Sequence, residues 1–80
     1  MRVGVIGTGY VGLVAGAGFA DFGNDVVCID IDEQRIARLR RGDVPIHEPG
    51  LPELVAANSA AGRLRFSTDF ADATHDADVI

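Results

Sequence analysis

The chain has 80 residues, of which 48% are hydrophobic and 24% charged, a balance typical of a folded globular domain rather than a disordered one. Twelve acidic residues outweigh seven basic ones, and the net charge of -5 makes nucleic acid an unfavourable partner. A single cysteine, Cys28, excludes an internal disulfide and a cysteine-rich metal cluster. No targeting signal and no membrane-length apolar stretch is visible, so we expect a cytoplasmic protein without a membrane partner.

The first 30 residues predict a strand, a glycine-rich turn, a helix and a second strand. Residues 3–6 form an apolar run typical of a buried parallel strand. Apolar residues from Tyr10 to Phe22 follow a helical pattern, and Gly23 with Asn24 supplies its stop. Residues 26–30 are rich in β-branched side chains and predict the second strand, which ends on a carboxylate.

The remaining residues continue the alternation of helices and strands. Asp32 is a suitable N-cap for a helix over residues 33–41, and a proline-containing loop over 43–51 leads to a helix that begins near Pro52 and breaks over 58–62. Residues 63–67 predict a third strand, 69–76 a short helical turn, and 77–80 the start of a fourth strand. This order predicts an α/β fold with a parallel sheet.

A glycine-rich segment between the first strand and the first helix fits the G-x-G-x-x-G pattern: Gly7-Thr8-Gly9-Tyr10-Val11-Gly12. The pattern is weak alone, but here it lies in a strand-turn-helix unit of about 30 residues. Gly7 would allow the tight turn, Gly9 the close approach of a pyrophosphate, and Gly12 the close packing of the helix on the first strand. The phosphates would meet unpaired amide N–H groups and the positive end of the helix dipole.

Asp30 completes a dinucleotide-binding motif. It lies 23 residues after Gly7, at the end of the second predicted strand, where a carboxylate can accept hydrogen bonds from an adenosine ribose. A carboxylate there also repels a 2′-phosphate, so the sequence predicts NAD rather than NADP as cofactor. Arg35, one turn into the next helix, could lie against the adenine or a phosphate, or could be a solvated helix arginine. Its spacing alone leaves both interpretations open.

Three segments beyond the glycine motif carry more specific sequence: Ile29-Asp30-Ile31-Asp32 with Arg35, Pro45-Ile46-His47-Glu48-Pro49-Gly50-Leu51, and Phe66-Ser67-Thr68-Asp69. Together with the glycine motif they resemble the start of the UDP-glucose/GDP-mannose dehydrogenase family, over essentially the whole chain. The P-I-x-E-P-G-L loop is the most specific of them. Family members commonly carry an aromatic residue where this chain has His47, so we expect no stacking role for that side chain.

The resemblance implies the N-terminal portion of a Rossmann-type NAD-binding domain, cut at the start of its fourth strand, with a nucleotide-sugar-binding domain beyond residue 80. Three glycines (Gly7, Gly9 and Gly12) would hold the pyrophosphate, while Thr8, Tyr10 and Val11 would line the same turn through their backbone. Asp30 would bind the adenosine ribose and Arg35 would flank it. The implied reaction is the NAD-dependent oxidation of a nucleotide sugar at C6, with UDP-glucose converted to UDP-glucuronate, in a protein that we expect to be a homo-oligomer.

The catalytic residues implied by the resemblance, a cysteine nucleophile among them, lie downstream, so this chain has no expected catalytic or metal-binding residue. Cys28 stands within a predicted strand and is expected to be a buried, inert thiol. His47 and His75 lack partners at metal or triad spacing. Two alternatives stay open: a sister enzyme acting on GDP-mannose or a UDP-acetamido sugar, and a non-catalytic dinucleotide-binding module.

Overall fold

The computed structural model describes residues 1–74 and 78–79, with the side chains described for residues 1–72. Within these ranges four strands and four helices follow one another along the chain. Their bounds are β1 Arg2–Ile6, α1 Tyr10–Asp21, β2 Asp25–Ile29, α2 Glu33–Arg40, α3 Leu51–Ala60, β3 Leu64–Ser67, α4 Phe70–Thr74 and β4 Asp78–Val79. The α/β architecture predicted from the sequence is confirmed.

The strands form one parallel sheet in the order β3-β2-β1-β4. β1 pairs with β2 from Arg2↔Asp25 to Ile6↔Ile29, and its other edge pairs with β4 at Val3↔Asp78. The order 3-2-1-4, with the first strand inside the sheet, is that of a Rossmann-type dinucleotide-binding fold. The first and fourth strands are therefore neighbours in the sheet.

One face of the sheet, here called the covered face, packs against α1, α2 and α3. It forms the main core, which contains thirteen of the buried side chains that the structure describes: Val3, Val5, Leu13, Ala17, Ala20, Val26, Cys28, Ile36, Leu39, Leu51, Val55, Leu64 and Phe66. The opposite face, here called the open face, buries Val27 and Ile29 as a separate pair. Phe70 of α4 lies beside this second face, where it lines a small apolar cleft with Ile6 and Ile29.

The helix boundaries follow from local chemistry. Asp32 caps α2 as predicted, since its side chain accepts a hydrogen bond from the Arg35 N–H at 3.0 Å. Gly23 follows α1 with a φ of 101°, and the Asn24 side chain donates to the Phe19 carbonyl at 2.9 Å. These contacts confirm the predicted stop of the first helix.

The predicted break over residues 58–62 is wrong for its first half, because α3 continues to Ala60. Asn58 is fully buried in the last turns of the helix. Its amide nitrogen donates to the Leu54 carbonyl at 2.9 Å and to Asp21, and its side-chain oxygen accepts from Arg63 at 2.9 Å. A buried amide with partners on three sides is stabilising inside a helix, although isolated asparagine favours helix ends.

Two predicted elements reach outside the described residues. The helical turn predicted over residues 69–76 is observed as α4, and residues 75 and 76 lie outside the described part of the chain. The fourth strand is observed at Asp78–Val79, and residues 77 and 80 of that prediction lie outside the described part. Among the helices that the structure describes, none combines the length and the apolar composition needed to cross a membrane.

Candidate cofactor-binding site

The turn between β1 and α1 is shaped by two glycines that the fold itself requires. Gly7 has a φ of 95°, a conformation that side chains other than glycine rarely adopt. Its N–H donates to the Ile29 carbonyl at 2.7 Å, which ties the turn to the end of β2. A Cβ built on Gly12 would overlap the Gly7 carbonyl oxygen, so Gly12 is needed for the close approach of α1 to the turn. Both structural roles predicted for these residues are confirmed.

Gly9 differs from both of them, because nothing within the protein explains the absence of a side chain there. Its φ of -69° and ψ of -172° are accessible to any residue. A Cβ built on Gly9 would find no atom within 4 Å. The open space lies at the amino end of α1, where the first N–H groups of a helix have no partner within the helix. A bare backbone beside these N–H groups is the cradle that a pyrophosphate needs, so the turn fits a dinucleotide.

Asp30 follows the last residue of β2 and stands at the same edge of the sheet. Its N–H donates to the Ser67 carbonyl at 3.2 Å, which fixes its backbone beside β3. Its carboxylate points back to the glycine turn, where Oδ2 accepts hydrogen bonds from the Thr8 N–H at 3.0 Å and the Thr8 hydroxyl at 2.7 Å. The carboxylate Oδ1 accepts from the Asp32 N–H at 3.0 Å. The sheet therefore brings Asp30 and the glycine turn together, as the sequence spacing predicted.

These hydrogen bonds keep the Asp30 carboxylate ionised. Burial alone would raise its pKa, but hydrogen bonds from the Asp32 N–H and from the Thr8 hydroxyl and N–H outweigh burial, with a smaller contribution from the Arg35 charge. Together they lower the pKa to about 2. The site thus presents a fixed negative charge, suited to accepting hydrogen bonds from ribose hydroxyls and unsuited to a 2′-phosphate.

Arg35 lies beside Asp30 rather than in free solvent. Its Nη1 is 3.5 Å from the Asp30 Oδ2, and its side chain stays partly exposed. Together with Arg38 it borders a cleft of about 340 Å³ that also touches the glycine turn and the loop residues Pro45 and Ile46. Of the two interpretations left open by its spacing, the structure favours a position at the site, next to the carboxylate.

Tyr10 and Val11 form the first turn of α1, and both side chains are exposed. This position agrees with a contribution through their backbone N–H groups. The Tyr10 hydroxyl donates to the Glu48 carboxylate at 3.2 Å, which raises the pKa of the tyrosine through the hydrogen bond and the negative charge of Glu48. The Glu48 side chain therefore pairs with a residue 38 positions earlier in the chain.

Sequence reasoning missed the side chain of Thr8, which was expected to act through its backbone alone. Its hydroxyl is almost fully buried and makes the shortest of the hydrogen bonds to Asp30. The two residues are 22 positions apart, so no local spacing rule relates them. A threonine inside the glycine motif, followed by a carboxylate at the end of the second strand, is the signal that would have predicted it.

The cysteine and the two histidines singled out in the sequence lie outside the cofactor site or outside the described residues. Cys28 is buried in the covered face, and burial raises the pKa of its thiol to about 12, so it is an inert thiol. His47 is exposed in the loop that precedes α3, and His75 lies outside the described residues. Residues 1–72 hold no cluster of three potential metal ligands.

Comparisons with known proteins show the family to which the chain belongs. Residues 1–80 match the family model described as "UDP-glucose/GDP-mannose dehydrogenase family, NAD binding domain". The chain is 55% identical over 80 residues to a UDP-glucose 6-dehydrogenase of Rhizobium meliloti, of which it covers 18%. It is 43% identical over 79 residues to a GDP-mannose 6-dehydrogenase of Pseudomonas syringae, with 99% of this chain and 18% of that protein covered.

The fold of the chain also matches that of a solved structure. The crystal structure of a ternary complex of a Pseudomonas aeruginosa GDP-mannose dehydrogenase matches with a TM-score of 0.92 and 35% identity, over 100% of this chain and 19% of that one. The chain thus spans less than one fifth of the length of the relatives it matches. Because the family model covers every residue and the glycine turn and Asp30 have the geometry of a dinucleotide site, the chain belongs to the UDP-glucose/GDP-mannose dehydrogenase family and corresponds to its NAD-binding domain.

Proposed function

We propose that this chain binds NAD at the glycine turn and Asp30, within a protein that oxidises UDP-glucose to UDP-glucuronate. The main support for the cofactor site is the presence of glycine at position 9, which neither the backbone conformation nor the internal packing requires. The observation that supports the substrate is the relative of highest identity described above, which is named a UDP-glucose 6-dehydrogenase. The residues that recognise the sugar and carry out the oxidation would lie elsewhere in the natural-length protein.

Oxidation of the C6 alcohol to a carboxylate removes four electrons, so each turnover would need two NAD as hydride acceptors and one water. The residues of this chain would hold the adenosine half of the cofactor. The N–H groups at the start of α1, from Tyr10, Val11 and Gly12, would face the pyrophosphate. The Asp30 carboxylate would accept hydrogen bonds from the ribose hydroxyls, and Arg35 would flank the ribose from α2. We expect a cytoplasmic homo-oligomer, which stays a prediction.

A sister reaction on GDP-mannose is the second candidate. It is supported by the close structural match to a GDP-mannose dehydrogenase and by the relative named a GDP-mannose 6-dehydrogenase. The site formed by the described residues would face the cofactor, so recognition of the sugar would fall to other residues of the natural-length protein. A non-catalytic dinucleotide-binding module is less well supported, since the relatives compared above are named as dehydrogenases.

The direct test is cofactor reduction by the natural-length gene product that contains this chain. NADH formation is followed by absorbance with UDP-glucose, GDP-mannose or a UDP-acetamido sugar at equal concentration, and each reaction is repeated with NADP. We expect turnover with UDP-glucose and NAD. Turnover with GDP-mannose alone would support the sister reaction, and equal use of NADP would contradict the role of Asp30.

A further inference from the structure

The helix that begins at the glycine turn starts without a side-chain cap. Among the described residues, no side chain accepts a hydrogen bond from the first N–H groups of α1, and its first turn holds no acidic residue. By contrast, α2 begins with the Asp32 side chain bound to the Arg35 N–H at 3.0 Å. Open N–H groups are what a pyrophosphate needs, but a helix end without a cap lacks a contact that stabilises it. The first turn of α1 therefore needs an attachment that leaves its N–H groups open.

The Tyr10 side chain makes such an attachment. Tyr10 is the first residue of α1, and its hydroxyl donates to the Glu48 carboxylate at 3.2 Å. The hydrogen bond and the charge of Glu48 raise the pKa of Tyr10, so the hydroxyl keeps its proton and remains a donor at neutral pH. The aromatic ring lies between the helix backbone and the carboxylate. Glu48 therefore restrains the turn without occupying the N–H groups at its amino end.

The loop that carries Glu48 is itself attached to the rest of the structure. This loop joins α2 to α3, and its residues Val44 and Ile46 pack against the main core. The loop is also held to α2, where the Asp43 carboxylate accepts from the Arg38 Nε at 3.1 Å. Its two prolines restrict the backbone further. Glu48 is thus carried by a fixed part of the fold, which can hold the Tyr10 hydroxyl in a defined place.

We propose that Glu48 is a positioning residue of the cofactor site, which acts through the Tyr10 hydroxyl to hold the uncapped first turn of α1 where the pyrophosphate requires it. This inference rests on the proposed NAD-binding function and adds to it a residue of the loop between α2 and α3. The sign of the effect separates position from charge. Loss of the hydrogen bond should weaken pyrophosphate binding, whereas loss of a negative charge alone should strengthen it.

Three variants test the hydrogen bond. Tyr10→Phe removes the donor and keeps the ring, Glu48→Ala removes the acceptor together with the charge, and Glu48→Gln removes the charge but keeps an acceptor oxygen. Glu53→Ala is the matched control, because it removes an exposed carboxylate from the first turn of α3. The tested hydrogen bond is exposed, so we expect all four variants to fold and to melt close to the wild-type temperature.

The probes are ADP, which carries a pyrophosphate group, and adenosine, which carries none. Their affinities for the natural-length protein are measured by titration calorimetry, with adenosine as a competitor of ADP. We expect Tyr10→Phe and Glu48→Ala each to weaken ADP binding about threefold to tenfold relative to adenosine, the size of one hydrogen bond. Glu48→Gln should restore most of this loss, and Glu53→Ala should keep the wild-type ratio within about twofold. A purely structural role would weaken both ligands alike and leave the ratio unchanged.

The double variant Tyr10→Phe/Glu48→Ala assigns the loss to the contact between the two side chains. Both changes break the same hydrogen bond, so the double variant should lose no more ADP affinity than the larger of the two single losses. Additive losses would contradict the proposal. Tighter ADP binding by both Glu48→Ala and Glu48→Gln would show that Glu48 acts by its charge, and would contradict it as well.

Other outcomes separate the inference from the proposed function. If the wild type binds ADP and NAD but Tyr10→Phe and Glu48→Ala keep its ratio of ADP to adenosine affinity, the role of Glu48 is wrong and the NAD site stands. If the wild type binds neither ADP nor NAD, both are overturned. If Glu48→Ala does not fold, the ratio measured in Tyr10→Phe, which keeps the aromatic ring, decides between these outcomes.

Discussion

The two faces of the sheet are made from the same strands but bury very different amounts of apolar side chain. The covered face carries the thirteen-residue core beneath α1, α2 and α3, whereas the open face buries Val27 and Ile29 among the described side chains. On the open side Ile6 is 41% exposed and Phe70 58%. Among the described residues, the connections between β1, β2 and β3 supply the helices of the covered face, so the strand order determines which face these helices fill.

This difference follows from the order of the strands in the sheet. β2 lies beside β1 and β3 lies beside β2, on the same side of the sheet. Because parallel crossovers have one hand, the helices of these connections all pack on the same face. The chain then returns to the other edge of β1 through α4, which is the connection beside the open face. The glycine turn and Asp30 both belong to covered-face connections, so the cofactor site is supported by the better packed side of the molecule.

The two faces should differ strongly in the free energy of unfolding that is lost when an apolar side chain is shortened to alanine. Leu13→Ala removes a fully buried side chain of α1 from the covered face and should cost about 3–5 kcal/mol in the free energy of unfolding. Ile6→Ala removes a half-exposed side chain from the open face and should cost less than about 2 kcal/mol. Chemical denaturation of both variants measures the difference, and equal costs would show that the open face is as well packed as the covered one.

Packing on the covered face can be examined further at the contact between α1 and β2. A Cβ built on Gly16 would lie 2.6 Å from the Cys28 Sγ, so Gly16→Ala should destabilise the protein by about 1–3 kcal/mol through overpacking. Cys28→Ala alone should lower the free energy of unfolding by about 1 kcal/mol, because it leaves a small cavity. The turnover of the natural-length protein should stay intact.

The double variant Gly16→Ala/Cys28→Ala is the informative one. It should be more stable than Gly16→Ala, because the second change removes the atom that the new methyl group meets. Additive losses in a double-mutant cycle would show that α1 and β2 are not in close contact at this point. A loss of turnover in folded Cys28→Ala would give the thiol a catalytic role that its buried position does not support.

At the edge of the sheet where Asp30 lies, charge rather than apolar burial contributes to the stability of the folded state. Asp30 has its pKa lowered from 3.8 to about 2, so its ionised form stabilises the folded state above about pH 4. This contribution, of about 2 kcal/mol or less, is lost as the pH falls from about 4 to 2. Asp30→Asn should flatten this part of the pH profile, which is followed by thermal unfolding, whereas an unchanged profile would show that Asp30 is not held by these hydrogen bonds.

Much of the fold could be predicted from local patterns. The strand, glycine turn, helix and second strand follow from apolar periodicity and from Gly7, Gly23 and Asp32, each of which acts on its own neighbours. The place of Asp30 at the end of β2 is a consequence of the same local order. The parallel sheet then brings it to the turn, because the carboxyl ends of β1 and β2 meet at one edge.

What could not be predicted depends on contacts between distant residues. The hydrogen bonds from Thr8 to Asp30 and from Tyr10 to Glu48 join residues 22 and 38 positions apart. The continuation of α3 through Asn58 depends on Asp21 and Arg63, which the periodicity of the helix does not show. The division of the described core between the two faces depends on the strand order, which the short apolar runs do not specify.

The most direct test of the glycine turn as the pyrophosphate site of NAD compares NAD affinity in two glycine variants. Gly9→Val and Gly18→Val each add a side chain where a Cβ would meet no atom of the protein within 4 Å, and neither position has a positive φ. We predict that both variants fold, that Gly9→Val loses NAD binding, and that Gly18→Val, in the middle of α1, binds NAD like the wild type. Wild-type affinity in a folded Gly9→Val variant would contradict the proposed cofactor site.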